Sequence, residues 1–420
     1  MSTVAGILND YETIRADQEA FYRDLHAHPE LSHEEVRTAD EVARRLKAWG
    51  FEVHVGVGGT GVVGILRNGD GATVLMRADM DALPIGEATG AAYASTVDAV
   101  MHACGHDVHV ACLLGAARLL SSHLEAWQGT VVALFQPAEE TGDGARGMLS
   151  DGLAGIIPVP DVALAQHVLP GAAGTVLTRP GPVLSSADSV RITVHGRGGH
   201  GSMPQKTVDP VVLAALIVVR LQTIVAREIA PTEPAVLTIG SIRAGSKSNI
   251  IPDEAVLELN LRTYTEQTRA HMLASIERIA RGESLASGSP QEPEIEVYDS
   301  FPLTENDGAV TARVALAFAE HFGAGALPME PQTASEDFSD VPRALGVPYT
   351  YWSIGGTAPD AWARAVRDGT VFSTIPANHS PLFLPVMQPT LEAGTAALIV
   401  AAGARLAPGS GRREASEKNR

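Results

Sequence analysis

The run Met101-His102-Ala103-Cys104-Gly105-His106-Asp107-Val108-His109 constrains this chain more than any other stretch. Within nine residues it sets a thiol, three imidazoles and a carboxylate, and an apolar helical pattern begins directly behind it. Histidine is seldom used that densely in a cytosolic protein without a metal to hold. Cys104 and His106 are the favoured ligands, because a turn containing Gly105 can aim both side chains at one point. Asp107 is then placed to cap the helix and complement its dipole. Further ligands must come from elsewhere in the chain.

Read from the start, residues 11–29 predict a helix, and Ser32 with Glu35 predicts a capping box for the next one. That second helix carries Val36, Ala39, Val42, Ala43, Leu46 and Trp49 at helical spacing and stops at Gly50. Strands are expected at 51–57, 61–67 and 73–76, the last running into Arg77-Ala78-Asp79-Met80-Asp81-Ala82-Leu83-Pro84. A helix over 108–123 precedes an apolar strand at 129–135, which ends in Gln136-Pro137-Ala138-Glu139-Glu140. A short strand at 162–166 places His167 at its end. Acidic and imidazole groups thus stand where strands finish, the usual place for sites in open α/β sheets. Asp79, Asp81, Glu139, Glu140 and His167 can converge there although they lie far apart in sequence.

The pattern changes near Ser185. Strands at 189–195, 235–242, 254–264 and 294–298, with helices at 210–228 and 265–281, give the order βαββαβ of a ferredoxin-like module. A Gly-, Ser- and Pro-rich stretch at 282–293 reads as a loop inside it. The helix from Pro210 is apolar nearly all round over 211–219, more than one sheet face can cover, which fits a helix sandwiched within the subunit or, as the favoured reading, a dimer contact. After Ser300 the α/β pattern resumes: a helix at 307–321, Ser335-Glu336-Asp337-Phe338, a strand at 347–351, Ala377-Asn378-His379-Ser380-Pro381 and a closing helix at 389–406. The expected fold is therefore a two-segment catalytic α/β domain (1–184 and 300–407) with a central mixed sheet. An inserted ferredoxin-like lid and dimerisation domain (185–299) interrupts it, and a disordered tail (408–420) follows.

A formal charge of -18 argues against nucleic-acid and anionic-membrane partners, which need clustered Lys and Arg. Only two cysteines, Cys104 and Cys112, are present, too few for a disulfide framework. The first ten residues lack the basic and apolar segments of a signal peptide, and the longest apolar run, 211–219, has nine residues. The expectation is a soluble cytoplasmic protein.

Cys104, His106, Glu140, His167 and His379 make five ligands of mixed softness, too many for one tetrahedral ion with an open position. Two divalent ions would use them, one carboxylate of the Glu139-Glu140 pair binding metal while its neighbour takes the proton of an activated water in amide hydrolysis. Thiolate plus imidazole favours zinc, while carboxylates tolerate manganese or cobalt.

These motifs, in order from about residue 22 to 402, resemble the signatures of the metal-dependent amidohydrolases that include hippurate hydrolases and auxin-conjugate hydrolases. That group lies within the wider aminoacylase and carboxypeptidase-G metallopeptidases. The resemblance implies a two-metal catalytic domain with an inserted lid that also dimerises. It implies the same five ligands, Glu139 as general base, and Asp81 orienting His106. The wider group has histidine where this chain has Asp79, and the Cys-Gly-His arrangement belongs to the amidohydrolase branch. Gly198-Gly199-His200-Gly201 resembles a lid loop whose histidine stabilises an oxyanion in the partner's active site, and Asn249 and Arg262 resemble residues that hold the substrate carboxylate. The expected substrate is an N-acyl amino acid; a dipeptidase or biosynthetic deacylase would use the same chemistry. A silent binding protein on this fold would lack a ligand or the base, and none is missing. A Cys104–Cys112 redox pair is disfavoured by spacing that straddles a turn and a helix.

Overall fold

The uninterrupted apolar runs at 73–76 and 129–135 are what strands covered on both faces require. In the computed structural model, which describes residues 3–406, both become inner strands of one large sheet. The expected tail at 408–420 lies outside the described residues. Strands Glu52–Val57 (β1), Gly61–Asn68 (β2), Thr73–Asp79 (β3), Gly129–Gln136 (β4) and Val162–Ala172 (β5) are joined by three later ones. The order is β1-β2-β4-β3-β5, then Tyr349–Thr357, Val176–Thr178 and Ala326–Pro328. β3 runs parallel to β4 and β5, and Tyr349–Thr357 runs parallel to β5, so these four strands end at the same side of the sheet.

Helices Glu12–Ala27 (α1), Val36–Ala48 (α2) and His106–Ser122 (α3) belong to the same unit. α3 is buried on nearly every face because α1, the C-terminal helix Met387–Leu406 and the sheet all pack against it. An apolar pattern without a clear polar stripe predicts such a helix. Two capping expectations are corrected. Ser32 and Glu35 form no capping box: the Ser32 hydroxyl donates to Asp81 Oδ2 (2.7 Å), while the buried Glu35 carboxylate accepts from Thr60 Oγ1 and the Ala138 N–H. Glu30 caps α2 instead, accepting from the N–H groups of Arg37 and Thr38 at 2.8 Å each. Asp107 lies inside α3 rather than at its cap, accepting from the Val108 N–H and from His26 Nδ1.

The chain divides into two compact units. One combines the chain up to Val183, Glu305–Glu330 and the chain from Asp337; the other combines Leu184–Thr304 with Pro331–Glu336. In the second, an antiparallel sheet has the order Ala235–Ala244, Glu254–Thr263, Ser186–His195, Glu294–Phe301, the ferredoxin-like arrangement of a βαββαβ chain. Its core is Val190, Ile192, Leu213, Ile217, Leu257 and Ile276 with their neighbours. The second helix of this unit, Glu266–Ala286, runs on through Gly282 into the expected loop. Just past Gly282, Glu283 pairs with Arg220 at 3.2 Å.

The stretch Pro210–Glu228 has a mean hydropathy of 1.8 and, by length and composition alone, could cross a membrane. Here it is a helix to Thr223 followed by a π turn. Leu213, Ile217, Leu221 and Ile224 are buried in the unit's core, and Val211, Val212, Leu216 and Val219 are exposed. The two faces of Glu266–Ala286 predict opposite outcomes. Ile276→Ala should cost about 2–5 kcal/mol, and Leu285→Ala, which is 83% exposed, should stay within about 0.5 kcal/mol. Denaturant midpoints of the two variants check this.

Candidate metal centre

Strand register does much of the assembly. β3 and β4 finish side by side, Asp79 opposite Gln136. Arg77 pairs with Ala165, so His167, two residues on, is level with Asp79. His167 is not at a strand end, as its sequence context suggested, because β5 continues past it to Ala172 beside Tyr349–Thr357. Pro170 and Gly171 are absorbed by a register shift there rather than ending the strand. From the other side, Gly105 turns the chain into α3 at φ 89°, and a Cβ on it would fall 2.3 Å from Val168 Cγ1. Only glycine suits both demands.

Cys104 Sγ lies 3.4 Å from His167 Nε2, and His379 Nε2 lies 3.3 Å from Glu140 Oε1. Three overlapping groups bring their donor atoms within 4.8 Å of one another: Cys104, His106 and His167; Cys104, Glu140 and His379; His106, Glu139 and Glu140. All five expected ligands and Glu139 therefore converge. Asp81 binds the set from behind. Its carboxylate accepts from His106 Nδ1 (3.1 Å), Ser32 Oγ (2.7 Å) and the Glu140 N–H (2.9 Å). His106 Nδ1 therefore carries the proton, and its Nε2, buried and without a hydrogen bond, looks towards oxygens of Asp79, Glu139 and Glu140 at 3.6–3.9 Å. An imidazole oriented by a carboxylate with its other nitrogen free is the arrangement metal ligation uses.

Sequence reasoning left a supporting layer unassigned. His109 Nε2 accepts the Val168 N–H, so its Nδ1 must donate to Asp79 Oδ1; both nitrogens are committed and His109 is no ligand. Buried Arg77 donates to Asp79 Oδ2 (2.6 Å), Gln136 Oε1 (3.0 Å) and Asp337 Oδ1 (3.3 Å). The signal for the Arg77–Asp79 pair was present, since residues i and i+2 of a strand share a face.

Electrostatics agree with a cation site. Burial alone would raise the Asp79 pKa, but Arg77, His106 and His109 outweigh it and hold the carboxyl well below its usual range. Burial likewise opposes ionisation of Asp81, and the His106 and Glu140 N–H bonds prevail. Cys104 and Glu140 beside His379 push its imidazole up to about 10. Burial and His109 instead hold the His167 imidazole well below its usual range, so it stays neutral as a ligand must, and at His379 a divalent ion can replace the proton that the anionic donors attract. The residues present fit such ions.

In the second unit, His200 belongs to one short ladder, Gly199–His200 paired with Ile250–Ile251, and Asn249 directly precedes its second strand. The Ser202 N–H donates to His200 Nδ1, which leaves Nε2 protonated and free to donate. Arg262 is held by neutral acceptors, Asn260 Oδ1 (3.0 Å), Ser335 Oγ (2.6 Å) and the Thr333 carbonyl (3.4 Å). Ordinary hydrogen-bond acceptors orient the guanidinium without cancelling its charge.

The profile of peptidase family M20/M25/M40 matches residues 75–366. The chain belongs to this family. It is 38% identical to thermostable carboxypeptidase 2 of Saccharolobus solfataricus, over 91% of this chain and 94% of that one. It is also 38% identical to the hippurate hydrolase of Campylobacter jejuni, over 77% and 85%. A solved structure, the Bacillus subtilis YxeP protein, described as a dinuclear metal-binding peptidase of the M20 family, superposes with a TM-score of 0.77. It shares 29% identity, with 93% of this chain and 98% of that one covered. As an M20 member this protein is a hydrolase of amide bonds.

Removing Arg77 should take away the buried cation that Asp79 and Asp337 share. Arg77→Leu is expected to cost about 3–5 kcal/mol, read as a shift in the denaturant midpoint of the metal-free protein.

Proposed function

We propose that this M20 hydrolase cleaves N-acyl amino acids, releasing a carboxylic acid and the free amino acid. Cys104, His106, Glu140, His167 and His379 would hold two divalent ions. The observation that carries the reading is the convergence of those five donors beside Glu139. When bound, the ions would polarise the scissile carbonyl and acidify water. Glu139 takes the proton from the attacking water and returns it to the leaving nitrogen. Asp81 keeps His106 in the tautomer that presents Nε2. The partner subunit's His200, donating from Nε2, steadies the oxyanion. Arg262 grips the substrate carboxylate with Asn249 alongside, a role consistent with a guanidinium whose contacts leave its charge available. A thiolate with imidazoles favours zinc, and the carboxylates also accept manganese or cobalt.

Similarity to the Campylobacter jejuni hippurate hydrolase favours acyl amino acids, and similarity to the Saccharolobus solfataricus carboxypeptidase supports peptides as the second reading. We further assign the working form as a homodimer through the second unit. Val211, Val212, Leu216 and Val219 expose one apolar face, and the adjoining strand Ala235–Ala244 is an unpaired sheet edge. A second copy covers both at once. A cytoplasmic location suits the two free thiols.

Enzyme stripped of metal and reloaded with zinc, manganese or cobalt should hydrolyse benzoyl- and acetyl-amino acids only after reloading. A kcat/KM higher for dipeptides than for every acyl amino acid would favour the peptidase reading. Glu139→Gln should lower kcat about 10²–10⁴-fold with metal content unchanged; substantial residual turnover would remove Glu139 as the base. By sedimentation the wild type should be a dimer and Val219→Glu a folded monomer, and a monomeric wild type would refute the assembly.

A further inference from the structure

Asn378 stands where three ligand-bearing segments meet. Its side-chain amide donates to the Cys104 carbonyl (3.0 Å) and to the Val168 carbonyl (3.1 Å). Two carbonyl oxygens can only accept, so the nitrogen of the carboxamide must face them. The Val168 carbonyl also accepts from His167 Nδ1 (2.8 Å), which leaves His167 Nε2 unprotonated and 3.4 Å from Cys104 Sγ. The next residue, His379, is anchored by its own N–H to the Ala103 carbonyl (2.8 Å) and held at φ 67°. A non-glycine residue adopts that backbone only when its surroundings impose it. Cys104, His167 and His379 come from a turn, a mid-strand position and a late loop, and one carboxamide ties all three.

We infer that Asn378 is a positioning residue. Its amide sets the spacing of Cys104, His167 and His379, and thereby how tightly the centre holds metal. The inference rests on the ligand set proposed above. It differs from Asp81, which holds the His106 ring and the Glu140 N–H, because the Asn378 amide donates to the Cys104 and Val168 carbonyls, with Cys104 Sγ at 3.9 Å, and so fixes where the segments carrying Cys104, His167 and His379 lie.

The experiment compares zinc dissociation constants, obtained by competition with a chromogenic chelator, for the wild type, Asn378→Ala, Asn378→Asp and Cys104→Ser. Asn378→Ala removes both bonds. Asn378→Asp keeps the shape but turns an acceptor towards two acceptors. Both should weaken zinc binding by about 10–100-fold, Asp more than Ala, while kcat at saturating zinc returns to within several-fold of wild type. If Asn378→Asp does not fold, Asn378→Ala carries the comparison. Unchanged zinc affinity in a folded Asn378→Ala, or a drop in metal-free melting temperature without a change in affinity, overturns the inference. Cys104→Ser separates the two levels. If it too leaves zinc affinity unaltered, the ligand set fails; if it weakens binding and the Asn378 variants do not, only the positioning role fails.

Discussion

The carboxylate of Asp81 is the knot of this structure. Three segments spend a hydrogen-bond donor on it: Ser32 before α2, His106 at the start of α3, and the Glu140 backbone after β4. A fully buried carboxylate is tolerable only with that many donors. Its burial therefore forces the loop after β3, the helix start and the Glu139–Glu140 turn into contact. The same bonds leave His106 Nε2 without a partner and aim it at the carboxylates opposite.

Around that knot the fold gathers negative charge and then supports it. Asp79 is balanced by Arg77 and His109, and Asp337 by Arg77 and Gln136. Arg77, Asp79 and Gln136 lie on the inner parallel strands and His109 on α3, so rigid elements hold most of these groups, while Asp337 comes from a bend. Two non-glycine residues at positive φ, Ala138 and His379, adjoin Glu139 and Asn378, and each sits where a buried polar group pins the backbone. Two of the four such positions among the described residues, the others being His33 and Ala99, thus fall beside the candidate chemistry, where surrounding bonds over-determine them.

Much of this was legible because it depends on local pattern. Period-two alternation exposed the strands of the inserted module, unbroken apolar runs exposed β3 and β4, and the crowding of His and Cys exposed the centre. What was illegible depends on distant partners. Ser32 and Glu35 satisfy a capping motif, yet Asp81, Thr60 and Ala138 compete for them and win. Pro170-Gly171 reads as the end of a strand, but a parallel neighbour nearly two hundred residues away carries β5 onward. Pro331–Glu336 packs with the inserted unit, where Ser335 meets Arg262, and nothing in its own composition reveals that. The two shortest bonds of Asn378 go to main-chain carbonyls, which a sequence does not display.

The central claim is that five scattered side chains form one two-ion centre. Anomalous diffraction from crystals of the zinc-loaded protein, recorded at the zinc absorption edge, tests it most directly. The account predicts two peaks per chain, each in bonding contact with donors drawn from Cys104, His106, Glu140, His167 and His379. Peaks confined to other surfaces, or a fully loaded protein with no peak beside Cys104, would contradict it.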